Sequence, residues 1–311
     1  MEIRDCIVFF THRWDSRLAR HYEKLKREAG TILPVFLAFH AGEQVATPAG
    51  VPADIIVTNE QVRRLSPARY ADYESRRIIW THVDMLWFSA FADPALASFD
   101  RMWLIEYDVD YSGDWSEFFR DAVAYPGDIL ASYLRYRQVD PHWHWLYGVS
   151  DPQDRADDHV IGYFPISRFS RSAMSAVKAA TESEGWLGHF ELVVPTVINR
   201  AGLTLADLGG TGPFGASGRG GRHYRGDFRM IDRAYDTYAF GPPMQHYYAE
   251  SRLGFWRRHQ LYHPVKTGLV GRTSFDAWWM KFRDRTLSNL ARTIGRTDLL
   301  RKPGSRKKSG G

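Results

Sequence analysis

Residues 103–115 of the chain read WLIEYDVDYSGDW. The stretch begins with three apolar residues, continues with acidic residues at Glu106, Asp108 and Asp110, and is then broken by a Ser-Gly pair before a helical apolar pattern resumes. An apolar strand that ends in acidic residues delivers carboxylates to the carboxyl edge of a sheet, where open α/β sheets bind ligands. The stretch therefore predicts a ligand site at the end of a buried strand.

The spacing of these carboxylates indicates what they bind. Side chains alternate along a strand, so Glu106, Asp108 and Asp110 would share one face if the chain stayed extended. A divalent cation removes their mutual repulsion, and carboxylate oxygens suit Mg²⁺ or Mn²⁺, especially when a diphosphate completes the coordination shell. We therefore predict a D-x-D site at Asp108 and Asp110 for a cation and a nucleotide sugar. The alternative is an Asp-rich surface turn, because short D-x-D matches arise by chance.

The composition is that of an ordinary globular protein. The chain has 311 residues, 44% of them hydrophobic and 25% charged, which suits one large α/β domain or two domains. Its net charge of +5 suits an anionic ligand, a membrane surface or nucleic acid without choosing among them. Cys6 is the single cysteine, which excludes an internal disulfide and a cysteine-cluster zinc site. With no signal peptide and no apolar stretch of about 20 residues, a cytoplasmic protein is expected.

Alternating strands and helices predict a parallel, helix-covered sheet of the Rossmann type. The opening reads as a strand at 6–10, a helix capped by Asp15 or Ser16 and ending near residue 30, and strands at 32–39 and 55–57. Thr11, His12 and Arg13 follow the first strand and are candidates to contact a nucleotide. The further predicted elements are helices at 76–91, 118–124 and 170–184 and strands at 102–110, 128–134, 161–167 and 192–199.

Three further regions carry open interpretations. The glycine-dense stretch at 209–221 lacks the Lys-Ser/Thr ending of a P-loop, so we interpret it as a mobile loop or lid rather than a phosphate loop. His142 and His144 could be metal ligands, but an aromatic acceptor loop or plain loop residues are the favoured interpretations. A basic, amphipathic helical extension at 271–300 and a disordered basic tail at 301–311 could lie on an anionic membrane surface. The alternative for the extension is a packed terminal helix.

Four pieces of the sequence together resemble glycosyltransferases of the GT-A type, which transfer a sugar from a nucleotide diphosphate. They are the D-x-D stretch, Gly188-His189-Phe190-Glu191, the glycine-dense stretch and the segment at 261–266. The first piece, EYDVDYSG at 106–113, is also similar to a little-characterised glycosyltransferase-like family of unknown-function proteins. The resemblance implies a GT-A-like domain over residues 1–270.

The resemblance also implies roles for individual residues. Asp108 and Asp110 would hold Mn²⁺ or Mg²⁺ against the donor diphosphate, His263 would be a late metal ligand, and Lys266 would meet the diphosphate. The segment reads His-Pro-Val-Lys and lacks the glycine that such families commonly place between the histidine and the lysine. A packed loop histidine is the alternative for His263.

The expected activity is hexosyl transfer, with a UDP-sugar favoured as donor, to a hydroxyl of a cell-surface glycan or a lipid-linked acceptor. An inverting enzyme of this kind needs a carboxylate base within reach of the acceptor hydroxyl. Glu191 is the first candidate for this base, with Asp114 and Glu106 as alternatives. The opposing interpretation makes Glu191 a structural partner of Arg200 or Arg168.

Three other classes of protein could use the same acidic residues or the same charge. A nucleotidyltransferase would carry a glycine-rich basic loop after the first strand, which this sequence lacks. A two-metal phosphohydrolase would carry a second dense Asp/His motif, and the sequence lacks this as well. A non-enzymatic basic module on RNA or a membrane would leave the acidic strand end unexplained, and no RNA-recognition signature is present. Nucleic acid is therefore not an expected partner, whereas peripheral contact of the basic C-terminus with the inner membrane face is compatible with the enzyme.

Overall fold

The computed structural model describes residues 3–43, 49–76, 82–141, 143, 149–210, 212–226, 237–238 and 257–265. The predictions for the extension at 271–300, for the tail at 301–311, and for His142, His144 and Lys266 lie outside the described residues. None of the helices in this part of the chain has the length and the apolar character needed to cross a membrane.

Helices and strands alternate along most of the described chain. The helices are α1 (Ser16–Ala29), α2 (Asn59–Leu65), α3 (Pro67–Arg76), α4 (Val83–Phe91), α5 (Trp115–Ala122), α6 (Arg171–Ser183) and α7 (Phe190–Arg200). The strands are β1 (Asp5–Thr11), β2 (Val35–Gly42), β3 (Ile55–Thr58), β4 (Arg101–Glu106), β5 (Asp110–Tyr111), β6 (Ile129–Tyr136), β7 (Val160–Ser170), β8 (Leu205–Asp207) and β9 (Leu261–Tyr262).

Seven strands form one sheet in the order β3-β2-β1-β4-β7-β6-β8. The pairs β3-β2, β2-β1, β1-β4 and β6-β8 are parallel, whereas β7 runs antiparallel to both of its neighbours. The predicted α/β fold with a mostly parallel sheet and flanking helices is confirmed. Because Phe10 of β1 lies opposite Glu106 of β4, the carboxyl ends of these two strands are adjacent. The loop after β1 and the acidic stretch after β4 therefore leave the sheet at the same edge.

Apolar cores cover both faces of the sheet. Alternate residues of β1 divide between them, with Val8 in the core that includes α4, α6 and α7, and Phe9 in the core that includes α1 and α5. The neighbouring strand β4 does the same, with Leu104 on the first side and Trp103 on the second. A strand buried on both faces needs a continuous apolar run, which explains why β1 and β4 show no polar alternation in the sequence.

Most predicted elements are present with shifted ends. The helix capped by Asp15 is confirmed, since this carboxylate accepts the backbone N–H groups of Arg17 and Leu18 at the start of α1. The single helix predicted at 76–91 is wrong at its start, because the backbone of His82 is not helical and α4 begins at Val83.

The strand predicted at 192–199 is wrong, because these residues belong to α7. Their β-branched character favours a strand, but the segment is buried on all sides and starts with a defined cap. Gly188 takes the positive φ of 118° that turns the chain, and His189 then accepts the N–H of Glu191 on Nδ1 (3.2 Å). Pro195 has no N–H, so the carbonyl of Glu191 cannot receive the usual helical hydrogen bond.

A buried ion pair fixes the turn before α7. Arg69 donates to Asp84 through Nε (2.9 Å) and Nη2 (3.0 Å), and both side chains are fully buried. The remaining nitrogen, Nη1, donates to the carbonyl of Gly188 (2.6 Å). A bidentate pair of this kind is geometrically specific. The start of α7, and with it Glu191, is therefore held against α3 and α4.

Candidate metal centre

Two carboxylates and an imidazole converge at the carboxyl end of β4. The ligating atoms of Glu106, Asp108 and His263 all lie within 4.8 Å of one another. His263 Nε2 is 3.5 Å from an oxygen of Asp108 and 3.8 Å from an oxygen of Glu106. The side chains of Asp108 and His263 are buried, whereas that of Glu106 is 31% exposed and leaves the group open on one side. Within the described residues, this is the one group of three such ligands.

A turn after β4 creates the spacing of the two carboxylates. The strand ends at Glu106, and the N–H of Val109 donates to the carbonyl of Glu106 (3.0 Å), which reverses the chain through Asp108. On the other side, Nε2 of His21 in α1 donates to the carbonyl of Val109 (2.8 Å). Helix α1 therefore holds the turn through His21. The acidic stretch is interrupted between β4 and β5 and is not one extended strand.

His263 reaches the turn through a second, small sheet. Strand β9 pairs antiparallel with β5, with Tyr262 opposite Asp110. One position beyond His263 and its proline, the N–H of Val265 donates to the carbonyl of Asp108 (2.7 Å). The carbonyl of Val265 in turn accepts from Nη2 of Arg17 (3.0 Å). Backbone pairing on both sides of His263 thus sets its position relative to the acidic turn.

Asp110 lies in a different set of contacts from the one predicted. Its carboxylate accepts from Lys24 Nζ (3.1 Å) and from the N–H of Tyr111 (2.7 Å), and His21 Nδ1 is 3.9 Å away. The physical reason is the turn at Asp108, which ends the two-residue alternation on which the prediction depended. The structure therefore does not bring Asp110 into the group of three possible ligands, which contains the acid-x-acid pair Glu106 and Asp108 instead.

The loop after β1 lies beside this acidic turn, as the parallel pairing of β1 and β4 requires. The ring of His12 is edge-on to that of Tyr107 at 5.2 Å, and the guanidinium of Arg13 is 4.5 Å from the centre of the same ring. Thr11 is buried, and its hydroxyl closes the loop by donating to the carbonyl of Arg13 (2.7 Å). The structure thus brings the predicted nucleotide-contacting residues next to the metal-ligating group.

Glu191 lies in the first turn of α7, close enough to the metal-ligating group to interact with its charge. Burial raises the pKa of Glu191 to about 8, the charge of Arg135 opposes this shift, and the carboxylate of Glu106 adds to it. Its side chain is only 12% exposed. Glu191 therefore retains a proton well above the usual range of a carboxylic acid.

The arginines considered as structural partners of Glu191 are engaged elsewhere. Arg200 binds Asp151 and Asp158 with distances of 2.6–3.0 Å. Arg168 donates to the carbonyls of Tyr125 (2.8 Å) and Gly127 (3.1 Å). The arginine whose charge acts on Glu191 is Arg135 at the end of β6, which also forms an ion pair with Asp140 (2.6 Å).

Asp114, the alternative base, is the N-cap of α5. Its carboxylate accepts the N–H of Ser116 (2.8 Å), and hydrogen bonding to Ser116 lowers its pKa. The positive charges of Arg120 and Lys24 act in the same direction. The side chain is exposed, and these contacts account for the position of Asp114 directly after the glycine break.

The described part of the glycine-dense stretch is attached to the core, in contrast to the prediction of a mobile loop or lid. Asp207 at the end of β8 accepts the N–H groups of Gly209 (2.9 Å) and Gly210 (2.5 Å). Farther along, Arg222 and His223 both bind Asp121 of α5, at 2.8 Å and 2.7 Å. The glycines allow close backbone packing here, since a Cβ on Gly215 would lie 2.5 Å from the carbonyl oxygen of Gly210.

Sequence reasoning placed Glu106 among the three carboxylates of the acidic stretch but named it only as an alternative base, and it missed Tyr163 as a contact of His263. The hydroxyl of Tyr163 on β7 is 2.7 Å from Nδ1 of His263. The signal for Glu106 was present, because an acid-x-acid spacing occurs at 106 and 108 as well as at 108 and 110. No local signal marks Tyr163, which is 100 residues from His263 in the sequence.

Comparison with known proteins gives a distant structural likeness only. No protein-family model matches the chain, and no curated protein matches it. Among solved structures, the chain is similar to the mannosyltransferase Ktr4p from S. cerevisiae, with a TM-score of 0.34 and 10% sequence identity. The match covers 66% of this chain and 68% of that one. At this level of similarity, nothing about the activity of this chain follows from the match.

Proposed function

We propose that the chain is a metal-dependent glycosyltransferase that moves a sugar from a nucleotide diphosphate to a hydroxyl acceptor. The observation that carries the proposal is the convergence of Glu106, Asp108 and His263 at the carboxyl edge of the parallel strands, with the buried acid Glu191 beside them. This edge is where open α/β sheets bind ligands. A divalent cation bound together with a diphosphate suits both these side chains and their position at the carboxyl edge of the sheet.

The donor set fits a divalent cation. Two carboxylates and one imidazole supply oxygen and nitrogen ligands, which suit Mn²⁺ well and Mg²⁺ where further oxygens come from a diphosphate. The partly exposed side of Glu106 leaves room for the diphosphate to approach. A bound cation would offset the negative charge that develops on the leaving nucleoside diphosphate.

The surrounding residues divide between donor and acceptor. On the donor side, His12 and Arg13 contact the nucleotide, and Tyr107 offers its ring to the base. The buried Thr11 holds their loop in place through its hydroxyl. Lys266 remains our candidate for the diphosphate. On the acceptor side, Glu191 in its ionised form accepts the proton of the attacking hydroxyl, and its pKa of about 8 makes this carboxylate a stronger base than an exposed one. A UDP-sugar as donor, and a glycan or lipid-linked acceptor at a membrane surface, complete the proposal.

Thermal melting with a panel of nucleotide diphosphates tests this function. A ligand at one hundred times its dissociation constant should add about 2.7 kcal/mol of apparent stability. We expect the largest rise in Tm with Mn²⁺ and UDP together, a smaller one with Mn²⁺ alone, and none with UDP in EDTA. If no nucleoside diphosphate raises Tm in the presence of the cation, the donor site is refuted.

The products released from a UDP-sugar distinguish a phosphohydrolase, the alternative function, from a glycosyltransferase. With Mn²⁺ and a UDP-sugar, a glycosyltransferase releases intact UDP at a rate that rises with a sugar acceptor. A phosphohydrolase instead adds water across the diphosphate bond and releases UMP and a sugar 1-phosphate without any acceptor. Release of UMP as the main product would replace our proposal with the hydrolytic one.

A further inference from the structure

The second nitrogen of His263 has a partner supplied by the fold. Nδ1 lies 2.7 Å from the hydroxyl of Tyr163, which is on β7, the antiparallel strand next to β4. Tyr163 is 7% exposed and His263 is 3% exposed. The imidazole is thus held between a phenol on one nitrogen and the carboxylates of Asp108 and Glu106 on the other.

The two ring nitrogens must play different roles when a cation is bound. A neutral imidazole carries one N–H, and only the other nitrogen has a lone pair available for a metal. Nε2 faces Asp108 and Glu106, so it is the nitrogen that must be free of a proton. The proton then resides on Nδ1, where the oxygen of Tyr163 can accept it as a hydrogen bond.

The phenol is held in place by neighbouring aromatic rings. The ring centre of Tyr163 is 5.4 Å from that of Tyr238 and 6.1 Å from that of Tyr133. Tyr238 is itself fixed, because its hydroxyl accepts the N–H of Ile166 (2.9 Å) and its carbonyl accepts the hydroxyl of Tyr133 (2.5 Å). The phenol of Tyr163 is therefore packed against two further rings besides the imidazole of His263.

We infer that Tyr163 is a positioning residue that orients His263 and selects its Nδ1–H tautomer, so that Nε2 presents a lone pair to a divalent cation. The inference rests on the proposed metal centre and adds a residue that acts on the cation only through His263. Partners of this kind raise the basicity of a ligating histidine and fix its ring, and their loss typically costs about 10–100-fold in metal affinity.

Calorimetric titration of Mn²⁺ into the intact chain measures this effect. We expect Tyr163→Phe, which keeps the ring and removes only the hydroxyl, to weaken Mn²⁺ binding by about 10–100-fold. The matched control is Tyr125→Phe, which removes a buried hydroxyl that donates to the backbone carbonyl of Leu208, outside the cluster around Tyr163, and it should leave the affinity unchanged. Equal affinities of wild type and Tyr163→Phe would overturn the inference, as would equal losses in both variants.

A double-mutant cycle separates action through His263 from a general structural role. If Tyr163 acts through His263, Tyr163→Phe should have no further effect on Mn²⁺ affinity in a His263→Gln background. Additive losses would overturn the role of Tyr163 while leaving the metal centre standing. Wild-type affinity in His263→Gln alone would overturn the metal centre itself, and the role of Tyr163 with it.

The tautomer can be read directly in the wild-type protein, with a variant needed only to assign the resonance. In metal-free protein with ¹⁵N-labelled histidine, long-range ¹H–¹⁵N correlations identify which ring nitrogen carries the proton. The His263 resonance is assigned by its absence in His263→Gln. The Nδ1–H form supports the inference, and the Nε2–H form overturns it.

Discussion

Glu191→Gln is expected to lower kcat by about 10²–10⁴-fold, the usual contribution of a general base, while Mn²⁺ affinity stays unchanged. Glutamine keeps the shape of the side chain but cannot accept a proton from the acceptor hydroxyl. Steady-state kinetics with a UDP-sugar, together with a Mn²⁺ titration, measures the two quantities. The matched control is Asp114→Asn, which keeps a helix-capping oxygen and should retain kcat.

The same substitution should stabilise the metal-free protein at high pH. Native Glu191 holds its proton up to about pH 8, whereas an unfolded glutamate releases it near 4.5, so between these values the native state binds more protons. The free energy of unfolding contributed by Glu191 therefore falls as the pH rises through this range. In EDTA, Glu191→Gln should melt above the wild type at pH 9 and close to it at pH 5.

Two outcomes would contradict this account of Glu191. Equal losses in kcat and in metal or donor affinity would make the residue a ligand or a structural element and not the base. A Tm difference between variant and wild type that is the same at pH 5 and pH 9 would show that Glu191 is not buried with a raised pKa.

Asp108→Asn and Asp110→Asn are expected to affect different properties, Mn²⁺ affinity and Tm respectively, although the residues are only two positions apart. Asp108→Asn removes a charged ligand from the group with Glu106 and His263, and should weaken Mn²⁺ binding by more than the roughly 10–100-fold that loss of an outer partner typically costs. Asp110→Asn removes the negative charge that pairs with Lys24 and should lower Tm with little change in Mn²⁺ affinity. Calorimetry and thermal melting on both variants provide the measurements.

The reverse pattern would restore the sequence-based interpretation. If Asp110→Asn abolished Mn²⁺ binding and Asp108→Asn only lowered Tm, the cation would be held by the D-x-D at 108 and 110 and not by the acid-x-acid pair at 106 and 108. Because both variants replace an aspartate by its amide, the comparison controls for the change in charge.

The central strands were predictable because burial on both faces requires long apolar runs. The runs around Phe9 and Leu104 identify β1 and β4, and the parallel pairing of these strands then places the loop at Thr11 beside the acidic stretch. The cap at Asp15 was equally readable, since its carboxylate acts on the next turn of the same helix. These features depend on neighbours in sequence or on a regular period.

The remaining features depend on tertiary contacts that leave no local pattern. The turn at Asp108 is fixed by the backbone of Val265 and by His21, so the alternation that grouped Asp110 with Asp108 could not reveal that the strand ends. Helix α7 contains a β-branched, proline-bearing segment whose preference for a strand is overridden by burial and by its cap at His189. In both cases the sequence contains the pattern of a strand, but contacts with residues distant in the sequence or burial determine the structure that forms.

Anomalous diffraction from crystals soaked with Mn²⁺ and UDP tests the central claim most directly. We predict one strong manganese peak within coordination distance of Glu106, Asp108 and His263 Nε2, with the diphosphate of UDP on the open side of Glu106. A manganese peak at Asp110 and Lys24, or an ordered UDP elsewhere with no manganese at the three ligands, would contradict the proposed metal centre.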